Sequence, residues 1–381
     1  MKIKNELEYS FAVYEDFTEI KPSIPEFESL LSKSKSNNIF LTWDWIYTWY
    51  EIFGARYQLH IITGRDKSGK LVLVAPFKIK KKHRLFDRSF NVVEFIGWGE
   101  LVTPEHLDII VQAGLENEVL WQFSEFLSRL DYIDEIVLKP FSPKSGNLML
   151  MEAYLKQKNG WTIKSKYSKS PFVKLPDSWE MYISLKSKNF RKKMKEYERI
   201  CYRDLDFSMR FCQNKSEIDT FFQYLTNLHN HRWKRKSQSF LSRKNREFHL
   251  NLMERFIEMD SLRLLIAFDQ NKPIAAIYCY KYGKVYYYYQ SGRDVGYNKY
   301  RLGLVLINNA IRYAIEEGAE EFDFLTGCEA YKFRWAENVH TNYSLTYYKG
   351  TLSFIMTRFL SAIRLFGKTL YYLIKKFTTK R

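Results

Sequence analysis

A fixed order of predicted elements occurs twice along this chain and restricts the folds that it can adopt. Each copy contains two β-rich runs around a polar turn, a third strand, an amphipathic helix and a strand that begins with acidic residues. The elements of the first copy lie at 59–77, 90–95, 119–130 and 134–139, and those of the second at 262–280, 285–290, 302–317 and 320–325. The repetition predicts a duplicated α/β module in which a strand, a helix and a second strand form a crossover unit.

The boundary between the two copies is predicted between Gly160 and Pro176, where the sequence KSKYSKSP is polar and contains a proline. The predicted domains are therefore an N-terminal domain at 1–165, a second domain at 166–350 and a basic amphipathic helix at 351–381. With 381 residues, 46% hydrophobic and 27% charged, the chain is long enough for two domains that each bury a core. Most of its 29 Phe and 28 Tyr residues must lie in those cores.

The net charge of +17 indicates an acidic partner, which can be nucleic acid, an anionic membrane surface or a phosphate-bearing substrate. The alternative is a lysine-rich composition without a functional meaning. Two predicted helices concentrate the positive charge, one at 187–199 and one at 352–377. The first can hold phosphates or be an ordinary solvated surface helix. The second can lie in an anionic membrane interface or pack back onto the protein body.

Cysteine spacing and hydropathy exclude several classes of protein. The four cysteines are scattered without a CxxC pair, which indicates neither a zinc site nor a disulfide framework, so we expect no metal and a reducing compartment. The N-terminus lacks the apolar run of a signal peptide, and no segment of about 18 apolar residues is free of charge. We therefore expect a cytoplasmic protein, with peripheral contact at the inner membrane face through 352–377 as an additional possibility.

The second copy contains a candidate ligand site between residues 284 and 335. A tyrosine-rich strand, VYYYYQ at 285–290, is stopped by SGRD at 291–294, and Leu304, Ile307 and Ile311 then recur at helical spacing. Such crossover units bind ligands beyond the carboxyl ends of their strands, where the helix N-terminus offers free N–H groups to an anion. The pattern predicts an anion-binding site at the start of this helix.

Candidate catalytic side chains lie in two further segments. His229, Arg232 and Trp233 share one helix face by their spacing, so a base, an anion clamp and a stacking surface converge there, although a helix with a core tryptophan is the alternative. Asp323 lies among apolar neighbours and needs a partner if it is buried; it can orient a donor, accept a proton or cap a strand end. Tyr331 and Lys332, on a short helix after Gly327, offer a phenolic proton and a cation.

Four motifs, in this order, resemble the GNAT-like acyltransferases of the CelD (cellulose-biosynthesis) type, relatives of the Fem peptidoglycan aminoacyltransferases. The motifs are FLTWDWIYTW at 40–49, LHNHRW at 228–233, YYQSGRD at 288–294, and FDFLTG at 322–327 followed by Tyr331 and Lys332. The resemblance covers nearly the whole chain. It implies tandem GNAT-like domains, each a mixed, mostly antiparallel sheet with helices on both faces, and transfer of an acyl group from a thioester to an amine by the second domain.

The resemblance also implies roles for individual residues. Backbone N–H groups near Tyr289 and Gln290 would stabilise the thioester oxyanion, and Tyr331 would protonate the leaving thiolate. Lys332 would meet the acceptor or the developing negative charge. Asp323 and His229 are further catalytic candidates from the residue patterns described above, not from the resemblance. The pyrophosphate of acyl-CoA is expected at Arg301, Leu302, Gly303 and Leu304, and the acceptor at Arg232, Trp233, Arg293, Asp294 and Gly327.

One departure from the family pattern concerns the pyrophosphate loop. The superfamily pattern is (Gln/Arg)-x-x-Gly-x-(Gly/Ala), whereas residues 298–303 read NKYRLG and keep only the final glycine. We expect an N-acyltransferase that moves an acyl group from acyl-CoA to an amine of an amino sugar or of a cell-envelope or exopolysaccharide precursor. The alternatives are a Fem-type transferase that uses aminoacyl-tRNA on a muropeptide precursor, and a non-catalytic scaffold that binds membrane or nucleic acid.

Overall fold

The protein is described here by a computed structural model that covers residues 8–83, 89–233, 242–351 and 354–355. Its α-helices are α1 (Phe17–Ile20), α2 (Ile24–Ser32), α3 (Trp43–Phe53), α4 (Glu116–Arg129), α5 (Asn147–Leu155), α6 (Trp179–Ser184), α7 (Lys188–Asp204), α8 (Ile218–Trp233), α9 (Arg243–Glu258) and α10 (Leu302–Glu316). Its strands are β1 (Ser10–Tyr14), β2 (Gln58–Arg65), β3 (Leu71–His83), β4 (Ser89–Phe95), β5 (Ile110–Val111), β6 (Glu135–Phe141), β7 (Trp161–Lys174), β8 (Phe207–Phe211), β9 (Leu262–Asp269), β10 (Lys272–Tyr282), β11 (Val285–Arg293), β12 (Glu321–Asp323) and β13 (Asn338–Tyr348).

The described strands form one mixed sheet that contains both copies of the repeated pattern. The strand order is β1-β2-β3-β4-β6-β13-β7-β12-β11-β10-β9-β8, and β5 pairs with β3 outside this path. In the first half, β2, β3 and β4 are antiparallel, and α4 then crosses over to β6, which runs parallel to β4. The second half repeats this order, because β9, β10 and β11 are antiparallel and α10 leads to the parallel strand β12. The duplicated module predicted from the sequence is confirmed.

The two halves exchange their last strands at the centre of the sheet. Strand β7, which follows the first half in the chain, pairs with β12 of the second half. Strand β13, which ends the second half, pairs with β6 of the first half and with β7. The segment between Gly160 and Pro176, where the boundary between the two copies was predicted, therefore contains a central strand. Its polar residues are tolerated because the first half of β7 is largely exposed.

Helices cover both faces of the second half of the sheet, and the sheet separates two cores. One core runs through the first half and continues under α8 and α9. The other lies in the second half, between the opposite sheet face and α10, with α7 packed on α10. Trp45 and Trp49 of α3 are fully buried in the first core, where Trp45 contacts Tyr280 and Tyr289 of the second half. These two tryptophans are therefore core residues.

Local sequence explains where the helices near the site begin. The side chain of Thr42 accepts a hydrogen bond from the N–H of Trp45 at the start of α3, and that of Ser187 accepts one from the N–H of Phe190 at the start of α7. Both are N-cap interactions that satisfy a backbone donor left free at a helix start. Within the described ranges, no helix has the length and apolarity needed to cross a membrane. The amphipathic helix predicted at 352–377 lies outside the described residues, apart from 354–355.

Candidate active site

A wedge opens between β11 and β12, because the two strands pair over only three residues. The pairing runs from Val285 opposite Glu321 to Tyr287 opposite Asp323. Beyond this point β11 continues to Arg293, whereas β12 ends and the backbone turns through Leu325, whose φ is +51°. Among the described residues, β12 does not pair with β11 beyond Tyr287, so a gap opens where the two strands separate.

A β-bulge at Tyr289 lies at the mouth of this wedge. The partners of Tyr278 and Cys279 on β10 are Gln290 and Tyr288, so Tyr289 is the extra residue on β11. A bulge turns the local backbone away from regular pairing and is common beside active sites. The Tyr289 ring packs against Tyr278 and Tyr280, and burial raises the pKa of its hydroxyl despite a hydrogen bond with Thr103. The Gln290 side chain accepts a hydrogen bond of 3.0 Å from the N–H of Ser291.

A cavity of about 360 Å³ adjoins the wedge and is rich in arginine. We call it the donor cavity, and it is lined by Tyr288, Ser291, Arg293, Asn298, Arg301, Leu302, Gly303, Leu304, Ile307, Tyr331 and Arg334. Three guanidinium groups and the N-terminus of α10 meet there, and both favour a phosphorylated ligand. All four predicted pyrophosphate residues line it, as do Arg293 and Tyr331. Tyr289 and Gln290 do not line it, although they belong to the adjoining strand.

Arg301 gives the loop before α10 the backbone conformation that glycine provides in the superfamily pattern. It stands at the position of the missing first glycine and adopts φ +54°, ψ +34°, the left-handed conformation that glycine reaches most easily. A non-glycine residue pays a steric cost there, and such strain is common at ligand-binding sites. Arg293 also holds the loop, because its Nε donates to Oδ1 of Asn298 at 3.2 Å. The loop therefore replaces a glycine by an arginine that adds a positive charge to the cavity.

The lysine predicted to be catalytic is buried and bonded to the backbone. Lys332 Nζ donates to the carbonyl oxygens of Leu325, Thr326 and Gly327 at 3.4, 2.7 and 3.2 Å, and lies 3.1 Å from a carboxylate oxygen of Glu329. Burial lowers its pKa, and the attraction of Glu329 opposes this effect. These contacts fix the loop after β12, including Gly327 at φ +105°. Lys332 thus holds the loop between the wedge and Tyr331 but does not line the donor cavity.

Asp323 is fully buried and belongs to a polar network that joins the two halves. One carboxylate oxygen lies 2.8 Å from Nε2 of His106, and the other accepts the N–H of Leu325 at 2.8 Å. Nδ1 of His106 lies 3.1 Å from Oδ1 of Asn342, so the His106 ring connects the two side chains. Burial alone would raise the pKa of this carboxyl group, but the charge and hydrogen bond of His106, together with the charges of Lys144 and His340, hold the pKa of Asp323 below its usual value.

The network continues from Asn342 into the first half and ends at Glu105. Nδ2 of Asn342 donates to Oε2 of Glu105 at 2.5 Å, and the hydroxyl of Ser168 donates to the same oxygen at 2.6 Å. No sequence motif pointed to Glu105 or His106, because 217 residues separate His106 from Asp323. The only available signal was a run of polar residues, TPEH at 103–106, between apolar segments. Glu105 and His106 meet Asn342 and Asp323 because the two halves of the sheet pair with each other.

The remaining predicted residues lie around the wedge rather than in one cluster. His229 is buried on the opposite face of β11 from α10, and its Nδ1 donates to the carbonyl oxygen of Ser291 at 3.1 Å. Asp294 caps the turn after β11 by accepting from the N–H of Gly296, and pairs with Lys272 at 2.9 Å. Arg232 and Trp233 end α8, and their side chains are outside the described part of the chain.

A metal is not needed to explain the acidic groups at the floor of the wedge. Glu321, Asp323 and His340 bring one possible ligand atom each within 4.8 Å of one another. Both oxygens of Asp323 have the partners given above, and Nε2 of His340 lies 3.1 Å from Glu321 Oε1. The arrangement is therefore a hydrogen-bonded cluster, and we assign no metal to it.

The strand order, the split between β11 and β12 and the helix start beside it define the fold class as that of a GNAT acyltransferase, in tandem form. Residues 186–333 match the family model described as an acetyltransferase (GNAT) domain. The prediction of a GNAT-type acyltransferase is confirmed at the level of this domain and its fold. No curated protein sequence matches the chain significantly. The assignment to the CelD-like type stays a prediction.

Solved structures share the fold at low sequence identity. A structure of FemX superimposes with a TM-score of 0.59 at 11% identity, and the match covers 84% of this chain and 95% of FemX. L-PGS from Bacillus licheniformis gives a TM-score of 0.52 at 10% identity, covering 87% of this chain and 94% of that one. The C-terminal domain of a putative lysylphosphatidylglycerol synthetase from Agrobacterium fabrum gives 0.51 at 8%, covering 89% and 95%. These matches extend over both halves of the sheet.

Proposed function

We propose that this protein transfers an acyl group from acyl-coenzyme A to an amine, carried by an amino sugar or by another precursor of the cell envelope or of an exopolysaccharide. The observation that carries the proposal is the donor cavity. Arg293, Arg301 and Arg334 line it beside the N-terminus of α10, which is the chemistry that binds a pyrophosphate. The wedge next to it offers backbone groups to the pantetheine arm of coenzyme A, which ends in the thioester.

The proposed reaction is a direct attack of the amine on the thioester carbonyl. A new N–C bond forms while the C–S bond breaks, the amine loses a proton, and the leaving thiolate gains one. Tyr331 is the proposed acid because it lines the donor cavity next to the loop that Lys332 holds. Backbone N–H groups near the bulge at Tyr289 would stabilise the oxyanion, as donors fixed in place do in acyl transfer.

Asp323, Lys332 and His229 are proposed to act by holding the site rather than by reaching the thioester. Asp323 and Lys332 fix the two sides of the loop after β12, and His229 fixes the end of β11 through Ser291. Their substitution should lower turnover because the wedge loses its geometry. Small displacements of reacting groups are enough to cost about 10²-fold in rate.

Isothermal titration with acetyl-CoA and longer acyl-CoAs tests the donor. We expect binding that weakens by about tenfold or more when Arg293 is replaced by glutamine, since hydrogen bonds to charged groups contribute about 1.5–3 kcal/mol. Arg210→Gln is the matched control, because it removes the same charge from an exposed position outside the cavity. Absence of binding by the wild-type protein at millimolar concentrations of every acyl-CoA would refute the proposal.

A second candidate is transfer of an aminoacyl group from tRNA, as the Fem family does. It is favoured by the basic face of α7, whose exposed cations are Lys188, Lys192, Lys193, Lys195 and Arg199. Such a face can bind a phosphate backbone. Transfer of a labelled amino acid from charged tRNA would establish this candidate. Transfer from acyl-CoA with no transfer from charged tRNA would reject it.

A further inference from the structure

A second cavity, of about 500 Å³, lies mainly in the first half of the molecule. We call it the acceptor cavity, and it is lined by Lys80, Trp98, Gly99, Glu100, Val102, Thr103, Pro104, Glu105, Tyr167, Ser168 and Thr326. Most of these residues come from the loop after β4 and from β7. Thr326 is the lining residue from the second half. The cavity thus spans the junction of the two halves, where neither half alone forms it.

The lining combines an aromatic surface with the carboxylate of Glu105, one of whose oxygens has no hydrogen-bond partner among the described residues. Nε1 of the half-buried Trp98 donates to the hydroxyl of Tyr167 at 3.0 Å, which holds the two rings together. Oε2 of Glu105 accepts two hydrogen bonds, whereas among the described residues its Oε1 has no hydrogen-bond partner. Glu100 differs, because its carboxylate is already paired with Arg56 at 2.8 Å. Glu105 is therefore the carboxylate available to a ligand.

Two contacts connect this cavity to the proposed site of acyl transfer. Thr326 lines the acceptor cavity, and its carbonyl oxygen accepts a hydrogen bond from Lys332. Tyr331, which precedes Lys332 in the chain, lines the donor cavity. From the other side, Thr103 of the acceptor cavity hydrogen-bonds to the hydroxyl of Tyr289, the bulge residue of the wedge. The same short segments therefore border the wedge and both cavities.

We propose that the acceptor cavity binds the amine substrate, that this substrate is an amino sugar, and that Glu105 takes the proton from its ammonium group. The inference rests on the proposed acyl transfer, narrows its acceptor to an amino sugar and adds the acceptor's binding cavity and base. In the step, Glu105 takes one proton from the ammonium group, and the freed amine nitrogen forms the bond to the acyl carbon while the C–S bond breaks. Tyr331 gives its proton to the leaving thiolate, and the second proton lost by the nitrogen restores Tyr331. An amino sugar fits because the C–H face of its ring can pack on Trp98 while its cationic amine meets a carboxylate.

The surroundings of Glu105 suit a proton acceptor. Burial raises its pKa above the usual glutamate value, while His106, Ser168 and Asn342 act in the opposite direction. A carboxylate with a raised pKa is a stronger base and works closer to neutral pH. The hydrogen bonds from Ser168 and Asn342 also fix its orientation, which leaves Oε1 as the reactive atom.

The test uses the full-length protein, glucosamine as the acceptor probe and acetyl-CoA as the donor. Glu105→Gln removes the base but keeps an oxygen for Ser168 and Asn342, and Trp98→Leu removes the aromatic surface. Glu316→Gln, at an exposed position on α10, is the matched control for loss of a carboxylate. Binding of glucosamine is measured without donor by calorimetry, with N-acetylglucosamine as the ligand that lacks the amine. Turnover is then measured against pH.

We expect glucosamine to bind more tightly than N-acetylglucosamine, and Trp98→Leu to raise its KM. Glu105→Gln should bind acetyl-CoA normally, but its kcat should be lower by about 10²-fold or more. The increase of activity with pH that ionisation of Glu105 causes in the wild type should also be absent from this variant. The control should behave as the wild type.

The acceptor proposal fails if acetyl-CoA binds and both cavity variants acetylate glucosamine with wild-type kcat and KM. It also fails if the wild-type protein does not bind glucosamine at millimolar concentrations. If glucosamine binds and both variants weaken this binding while no acyl-CoA binds, the acyl-CoA proposal fails instead and the cavity assignment stands. Binding without donor therefore separates the two failures.

Discussion

At the donor cavity, Arg301 combines a positive charge with an unfavourable backbone conformation. Its left-handed backbone occupies the place of a glycine in the superfamily pattern. Arg301, Leu302, Gly303 and Leu304, which the sequence grouped because they are adjacent in the chain and begin a helix, line one cavity, and their binding role stays a prediction. The sequence could not reveal that Arg301 preserves the glycine conformation, since φ angles are set by the folded loop.

Replacing Arg301 by glycine or by alanine should separate its charge from its strain. Both variants lose the guanidinium, so we expect acetyl-CoA affinity to fall by about tenfold in each. Alanine keeps the left-handed strain, whereas glycine removes a cost of about 1–2 kcal/mol at the expense of greater entropy in the unfolded chain. Arg301→Gly should therefore melt at a temperature no lower than Arg301→Ala. Calorimetric titration and thermal melts check both expectations, and unchanged affinity would contradict the first.

Protonation of Asp323 should make the protein less stable as the pH falls into the acid range. Its pKa is lower in the folded than in the unfolded state, so the ionised form stabilises the fold at pH values above the unfolded pKa of about 4. This contribution is lost as the pH falls through the folded value. We expect Asp323→Asn to reduce the melting temperature at neutral pH and to differ less from the wild type in acid. Asp206→Asn, at an exposed position, is the control and should show no such convergence.

At the scale of elements, the position of α8 depends on a glycine in the opposing strand. A Cβ atom placed on Gly292 would lie 2.4 Å from the backbone nitrogen of His229 and 2.6 Å from the carbonyl carbon of Leu228. Neither atom belongs to a flexible side chain, so the helix as a whole would have to move. The close approach also allows His229 to reach the carbonyl oxygen of Ser291.

Gly292→Ala should therefore destabilise the protein and weaken donor binding together. Overpacking of a tight contact costs about 1–3 kcal/mol, and the shift of α8 would displace the end of β11, which carries Arg293. Gly350→Ala is the control, since a Cβ at that position has no neighbour within 4 Å. Urea unfolding and calorimetric titration measure the two effects. Wild-type stability of Gly292→Ala would show that α8 is not held by this contact.

The sequence allowed the strands and helices of the crossover unit to be located, whereas the pairing of the central strands could not be predicted from it. Alternating and helical hydrophobic patterns are local, and they correctly located the crossover strands β11 and β12 and the helix α10. Strand β7 has a polar, half-exposed pattern that resembles a linker, and its partners β12 and β13 lie more than a hundred residues away. The buried network from Asp323 to Glu105 depends on this pairing and was missed for the same reason.

For the whole molecule, the strand exchange predicts that the second half needs β7 to fold. In a fragment of residues 176–351, β12 would lose its partner β7, and β13 would lose both β6 and β7. Unpaired strand edges leave backbone groups unsatisfied and promote aggregation. A fragment of residues 161–351 restores β7. We expect cooperative thermal unfolding only from the longer fragment, and an equally cooperative transition for both would contradict this prediction.

The exchange of β7 and β13 also constrains how such a chain can be rearranged genetically. The segment that matches the acetyltransferase domain ends at residue 333 and begins at residue 186, so it contains neither exchanged strand. A recombination event or a designed graft that transplants this segment alone would deliver a sheet with a gap beside β12. The smallest portable unit of this protein is therefore the second half together with β7, so a graft must run at least from Trp161 to Tyr348.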